Sequence, residues 1–289
     1  MDWVLDAENW PYRENSQFVK VRPYNWHYQE FGGKSKPVAL LLHGTGSSTH
    51  SWRLLVPHLL NKFRVIAVDL PGHGFTRFFD SNRCTIDNMA EDLSAFLENI
   101  KIRPNLIVGH SAGAALAMRL TLDKLSLKVK LVSINGVLDN YFQGLSAYFY
   151  PLLAKFLTIS PFAISIMALL TKNFNQTRTI LDFTGSQIDE EGFSYYKKLF
   201  SDAEHMKGTI SMMSRWKLGR LENELSEIKN PVLFLIGEND KIVNPETAKK
   251  YHQRIQNSQI KRLANLGHLM HEEYPEKISE VIVEFFYQR

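Results

Sequence analysis

The residues of this chain best suited to chemistry are Gly109-His110-Ser111-Ala112-Gly113, which follow the apolar run Leu106-Ile107-Val108 and open onto Ala114-Ala115-Leu116-Ala117-Met118. A serine with a glycine two places to either side, between a strand and a helix, matches a nucleophile elbow, where a tight turn lifts the hydroxyl above the sheet edge. Side chains at Gly109 or Gly113 would collide as strand turns into helix, so small residues are a steric requirement there. The spacing alone also fits a small residue at a helix start, and the partners must decide. A serine hydroxyl is a poor nucleophile at neutral pH; it needs a base within hydrogen-bond reach and a carboxylate to hold that base in the right tautomer. In this strand-turn-helix setting the chain order is serine, acid, histidine. Gly237-Glu238-Asn239-Asp240 and Leu266-Gly267-His268 each lie just past a predicted strand, which singles out Asp240 and His268. Glu238 and His271 are the nearest competitors, and Asp139 is a fallback acid after the preceding strand. His271 is expected beside the site, since Leu269-Met270-His271-Glu272-Glu273 reads as the way into the last helix.

Acyl transfer also needs donors aimed at the developing oxyanion. The backbone N–H of Ala112, at the amino end of a helix whose dipole favours negative charge, is expected to supply one. The other is expected from His43-Gly44-Thr45-Gly46-Ser47-Ser48, with Thr45 the donor by position. That loop lacks the Lys-Ser/Thr ending of a phosphate-binding loop.

The elements that must position these groups alternate between apolar runs and helical patterns. Phe18 to Val21 and Trp26 to Phe31 read as an opening hairpin. Val38 to Leu42, Arg64 to Asp69, Leu106 to Val108, Lys130 to Ile134, Pro231 to Gly237 and Gln259 to Leu263 read as strands. Helices are predicted over 52–60, 86–100, from Ala114, from near Pro245, and over 275–287, and Pro71-Gly72-His73-Gly74 closes one strand as a turn. This rhythm predicts an α/β fold with a mostly parallel central sheet flanked by helices. It stops between 137 and 229, where helical patterns at 148–153, 162–170, 195–199 and 206–216 predict an inserted helical lid over the carboxyl ends of the strands. Residues 1–136 and 230–289 are then the core, and 137–229 the lid.

Composition excludes several classes. The chain has 289 residues, 44% hydrophobic and 22% charged, ordinary for a globular protein. A net charge of +4 without a dominant Lys/Arg cluster argues against nucleic acid as a partner. Cys84 is the sole cysteine, so neither an internal disulfide nor a Cys-rich metal site is available, which suits a cytoplasmic location. No cofactor or metal ligand set is expected. Met1-Asp2-Trp3-Val4-Leu5-Asp6 does not read as a signal peptide, and the longest apolar segment falls short of a transmembrane span.

His43-Gly44, Asp69-Leu70-Pro71-Gly72-His73-Gly74, Gly109 to Gly113, Asp240 and Gly267-His268 together resemble the α/β-hydrolase superfamily over essentially the whole chain. More narrowly, the chain resembles the BchO group, magnesium-chelatase accessory proteins of bacteriochlorophyll synthesis. The segments that carry this are Asn9 to Glu14, His43 to Trp52, Gly109 to Ala117, Thr184-Gly185-Ser186 and Met212-Met213-Ser214-Arg215-Trp216. The resemblance implies an α/β-hydrolase fold and a role near magnesium insertion into protoporphyrin, without specifying a reaction. Two classes stay open. One is a serine hydrolase cleaving an ester, thioester or amide of an apolar, porphyrin-like small molecule. The other is an accessory protein that binds a porphyrin or a magnesium-chelatase subunit, with no chemistry of its own. Arg178, Arg215 and Lys217 in the lid are candidate partners for substrate carboxylates.

Overall fold

The computed structural model describes residues 1–77, 81–124, 128–139 and 174–288. Eight strands form one sheet in the order β1-β2-β4-β3-β5-β6-β7-β8. They are β1 (Ser16–Val21), β2 (Tyr24–Phe31), β3 (Val38–Leu42), β4 (Arg64–Val68), β5 (Leu106–His110), β6 (Lys130–Ile134), β7 (Val232–Gly237) and β8 (Ser258–Leu263). β2 pairs antiparallel with both β1 and β4, and every other pairing is parallel. The sheet is the mostly parallel one the sequence predicts.

Strands β3, β5 and β7 are buried at every position, as continuous apolar runs covered on both faces must be. Their alternate residues feed two cores. Leu40, Leu42 and Ile107 point to one face, Ala39, Leu41, Leu106 and Val108 to the other. The first face is covered by α3 (Ile86–Asn99) and α4 (Ala112–Lys124), the second by α2 (Val56–Leu59) and the last helix, Pro275–Tyr287. In α3 the buried Ile86, Met89, Ala90, Leu93, Phe96 and Leu97 keep helical spacing, and the Thr85 hydroxyl caps the first turn by accepting from Asn88 N at 3.3 Å. The final helix buries Ile278, Val281, Ile282 and Phe285 in the same way.

The helix expected over 52–60 is instead a 3-10 turn at Thr49–Trp52 followed by the four-residue α2. Pro57 has no N–H to give an α-helical bond. The Thr49 N–H is meanwhile taken by the Asp69 carboxylate at 2.7 Å, which holds the turn to the end of β4.

Within the expected lid, the described helices are α5 (Phe174–Asp182), α6 (Glu190–Phe200), α7 (Ala203–Arg215) and α8 (Gly219–Glu224). The segments expected at 195–199 and 206–216 fall in α6 and α7; those at 148–153 and 162–170 lie outside the described residues. Asp189 caps α6 and Asp202 caps α7, each accepting a backbone N–H at 2.7 Å. Phe193, Tyr196, Leu199, Met206 and Ile210 of these two helices pack with Trp10, Phe75 and Leu269 in a third apolar cluster. Beyond them lie α9 (Thr247–Arg254), α10 (Met270–Glu273) and α11, the Pro275–Tyr287 helix, while α1 (Trp3–Asp6) lies near the start of the chain. No helix among the described residues is long and apolar enough to cross a membrane.

Candidate active site

Strand β5 delivers Ser111 in the left-handed region, at φ 52°, a conformation that strains any residue with a side chain and persists only where the surroundings enforce it. Here they do. Ser111 N–H donates to the Ile134 carbonyl at 2.9 Å, and the Ser111 carbonyl accepts from Ala114 N at 3.1 Å and Val137 N at 3.3 Å. A Cβ on Gly113 would lie 2.1 Å from the Leu42 carbonyl oxygen, and one on Gly109 would lie 2.5 Å from Ala114 Cα. Both glycines are sterically required, as the spacing predicts. Ala112 is the first residue of α4, so its N–H is among those a helix leaves without an internal partner.

The His43–Ser48 loop backs directly onto this turn: a Cβ on Gly44 would be 3.1 Å from Ser111 Cβ. His43 organises the loop, donating from Nδ1 to the Gly44 carbonyl at 2.8 Å while Nε2 accepts the Leu70 N–H at 3.0 Å. Thr45 follows, with its hydroxyl donating to Met212 Sδ at 3.7 Å.

Asp240 and His268 are brought together. His268 Nδ1 lies 2.8 Å from Asp240 Oδ2, with the side chains 8% and 1% exposed. Asp240 Oδ1 accepts the Ile242 and Val243 N–H groups at 2.7 and 2.9 Å. One carboxylate oxygen is therefore anchored to the loop and the other engages Nδ1–H, leaving Nε2 as the acceptor, the tautomer a general base requires. The His268 carbonyl accepts from His110 Nε2 at 2.9 Å, which seats the base loop against the residue preceding Ser111. Among the described residues no hydrogen bond joins Ser111 Oγ to His268. Such bonds often tighten only once substrate is bound.

The competing residues are placed elsewhere. Glu238 is exposed, and Asp139 accepts from Lys250 Nζ at 3.1 Å. His271 is fully buried beside the site, its ring centroid 4.6 Å from that of His110, and its Nε2 donates to Ser51 Oγ at 2.8 Å. Of the cations expected to meet substrate, Arg178 pairs with Glu190 at 2.8 Å and stacks on Phe193, and Arg215 reaches the Asn82 side chain at 3.5 Å. Lys217 is exposed.

A family model of the alpha/beta hydrolase fold matches residues 37–275. The chain belongs to the α/β-hydrolase family. It is 36% identical over 277 residues to the magnesium-chelatase 30 kDa subunit of Rhodobacter capsulatus, covering 96% of each chain. It is 31% identical to the uncharacterized hydrolase YugF of Bacillus subtilis (strain 168), covering 90% of this chain and 94% of that one. Among solved structures, the esterase EaEST from Exiguobacterium antarcticum superposes with a TM-score of 0.75 at 18% identity, covering 94% and 99% of the two chains. The α/β-hydrolase fold and the likeness to the magnesium-chelatase group are thus as the sequence motifs imply.

Two positioning features of this α/β hydrolase were not read from the sequence. Asn135, at φ 47° just after β6, donates from Nδ2 to the carbonyls of Gly267 and His268 at 2.9 and 3.0 Å, while Oδ1 accepts Gly237 N–H at 2.9 Å. One amide thereby ties the end of β7, which leads to Asp240, to the His268 loop. The second is the turn Thr184-Gly185-Ser186 after α5, wedged between the acid and base loops. The Thr184 carbonyl accepts His268 N–H at 3.0 Å, and Ser186 Oγ accepts Leu269 N–H at 2.7 Å. Gly185 has φ +73°, and a Cβ there would lie 2.1 Å from the Asn239 carbonyl oxygen. Gly185→Ala must therefore push apart the loops bearing Asp240 and His268. We expect kcat for the hydrolysis proposed below to fall by roughly tenfold or more; an unchanged kcat would show that the wedge does not set the spacing of the pair.

Burial also shapes the histidines. His43, His50, His73, His110, His205 and His271 are fully buried, and desolvation lowers each below the ordinary value of 6.5, His205 to about 4 and His271 to about 3. Below 6.5 the unfolded chain takes up protons that the folded chain refuses, so stability falls as pH falls. Each such group contributes a slope of about 1.4 kcal/mol per pH unit between 6.5 and its folded value. Glu272, raised by burial, works in the opposite direction. Urea unfolding midpoints are expected to be flat from pH 7 to 8.5 and to drop between 6.5 and 5. Constant midpoints across pH 5–7 would contradict neutral burial.

Proposed function

We propose that this α/β hydrolase is a serine hydrolase that cleaves an ester, thioester or amide through an acyl-enzyme. Ser111 Oγ attacks the carbonyl carbon as His268 Nε2 takes its proton, and Asp240 stabilises the imidazolium that results. The negative charge on the tetrahedral oxygen is met by the backbone N–H groups of Ala112 and Thr45. Collapse expels the leaving group with the proton from His268. A water molecule, deprotonated by the same nitrogen, then releases the acid and restores Ser111. The observation that supports this most is the 2.8 Å bond from His268 Nδ1 to a carboxylate whose other oxygen is already tied down, beside a strained serine turn. A fluorophosphonate should form one covalent adduct, mapping to Ser111 by mass spectrometry. Failure to label, or an adduct on another serine, would overturn the assignment.

We read residues 137–229 as a lid on a core of 1–136 and 230–289, and the substrate as an apolar small molecule, porphyrin-like in keeping with the 36% identical magnesium-chelatase subunit. That relative's name also supports a second reading, in which the protein is an accessory factor that binds a porphyrin or a chelatase subunit without chemistry. The readings part at Ser111. In a pigment-making cytoplasm lacking the gene, Ser111→Ala should fail to restore magnesium-porphyrin accumulation; full rescue by a verified inactive protein would favour the accessory reading.

A further inference from the structure

Helix α7 meets the loop behind the elbow along one face, formed by His205, Gly208, Thr209 and Met212 at the i, i+3, i+4 and i+7 spacing. His205 is 1% exposed. Its Nδ1 accepts Gly74 N–H at 3.1 Å, and its Nε2 donates to the Gly46 carbonyl at 3.1 Å. Both ring nitrogens are thus committed, and the tautomer is fixed. A Cβ on Gly208 would lie 2.1 Å from the Gly72 carbonyl oxygen, so the helix touches the 72–74 turn at its backbone. Further along, Met212 Sδ receives the Thr45 hydroxyl at 3.7 Å, and Thr209 Cγ2 would lie 3.6 Å from a Cβ on Gly46.

Thr45 therefore sits between two held carbonyls. Gly44 O is fixed by His43 Nδ1 and by Ser47 N–H at 3.1 Å, and because a trans peptide sets its N–H opposite its carbonyl, that bond orients the Thr45 N–H. The next joint, Gly46 at φ +77°, is the most permissive in the loop. His205 is what holds it. We propose that His205 is a positioning residue for the oxyanion site, locking the Gly46 joint from α7 and so aiming the Thr45 N–H. This rests on the serine-hydrolase reading above. His205 acts through the loop and does not itself touch the charge, which Thr45 and Ala112 meet.

Glutamine can place an N–H where Nε2–H was, whereas asparagine mimics only Nδ1 and cannot reach Gly46. Expected for His205→Asn and His205→Ala is a loss in kcat on p-nitrophenyl butyrate of roughly tenfold or more, with KM within about twofold of the parent. Inhibition by a trifluoromethyl ketone, which forms a tetrahedral oxyanion on Ser111, should weaken by a similar factor. His205→Gln should stay within about threefold of the parent in both. Equal losses for Gln and Asn, or losses confined to KM, would overturn the proposal. If the His205 variants do not fold, Gly46→Ala, where a Cβ would make only ordinary contacts at 3.6 Å, disturbs the φ +77° joint directly; there a reduced kcat with unchanged KM supports the proposal and an unchanged kcat overturns it. Fluorophosphonate labelling of the parent separates the two claims. A labelled parent with the wrong variant pattern sinks only the positioning role, whereas an unlabelled parent sinks the hydrolase reading and this inference with it.

Discussion

Ser111→Ala is expected to lower kcat/KM on short p-nitrophenyl esters by roughly 10⁴- to 10⁶-fold, and His268→Ala by a similar factor, because without either group no activated alkoxide forms. Asp240→Asn should cost about 10⁴-fold. The asparagine would still reach Nδ1 but would present the wrong hydrogen-bonding partner, favouring the tautomer with its proton on Nε2. Since the three side chains act as one unit, the Ser111→Ala/His268→Ala double variant should be no slower than either single one. Losses that multiply would mean that serine and histidine act in separate steps. Thermal stability of Ser111→Ala should match or slightly exceed the parent, because alanine removes a hydroxyl from a turn already closed by its own backbone hydrogen bonds.

The candidate catalytic groups were legible because each follows a strand in the alternating β/α rhythm, announced by an apolar run for Ser111 and Asp240 and by a shorter, more polar strand for His268. Leu106-Ile107-Val108 precedes Ser111, Val232 to Gly237 precedes Asp240, and Ser258 to Leu263 precedes His268. What holds those groups in place was not legible, for a shared physical reason. Asn135, Thr184, Ser186 and His205 act on backbone carbonyls and N–H groups of residues distant in the chain, and such bonds leave no periodicity and no spacing. Thr184-Gly185-Ser186 could be marked only as a resemblance to the magnesium-chelatase group; its left-handed glycine, fitted between two loops, gives that short run a steric reason. The helix expected over 52–60 failed for a related cause. Its apolar pattern is real, and Trp52, Leu55, Val56 and Leu59 are all buried, but Pro57 lacks the N–H that a helix running from Trp52 would need there, and a tertiary bond from Thr49 N–H to Asp69 holds the 3-10 turn before it.

Glu272→Ala is expected to destabilise the fold by roughly 3–5 kcal/mol. Glu272 is wholly buried in α10, where burial raises its carboxyl above the ordinary range despite the Arg53 guanidinium 2.6 Å away. The same carboxylate accepts from Ser51 Oγ at 2.6 Å and from Tyr196 OH at 2.7 Å. Arg53 continues the network to Asp189, the cap of α6. Core and lid-side helices therefore share one buried charge network. Removing the acid would leave Arg53 enclosed with only the half-exposed Asp189 to balance it, and would leave the Tyr196 hydroxyl with only its longer contacts to Ser47 Oγ and Ser51 Oγ at 3.3 and 3.4 Å, which explains a loss larger than that of a surface ion pair. If the cost comes from the stranded charge, the double variant Arg53→Met/Glu272→Met should recover much of the stability, since a well-packed apolar pair avoids desolvating either ion. Urea unfolding measures both variants, and limited proteolysis adds a spatial test: in Glu272→Ala the first cleavages should fall in α6, whose Tyr196 has lost its bond to the buried acid. A loss under about 1 kcal/mol, or a double variant no better than the single one, would mean that apolar packing of Phe193, Leu199 and Leu269 docks these helices without help from the buried pair.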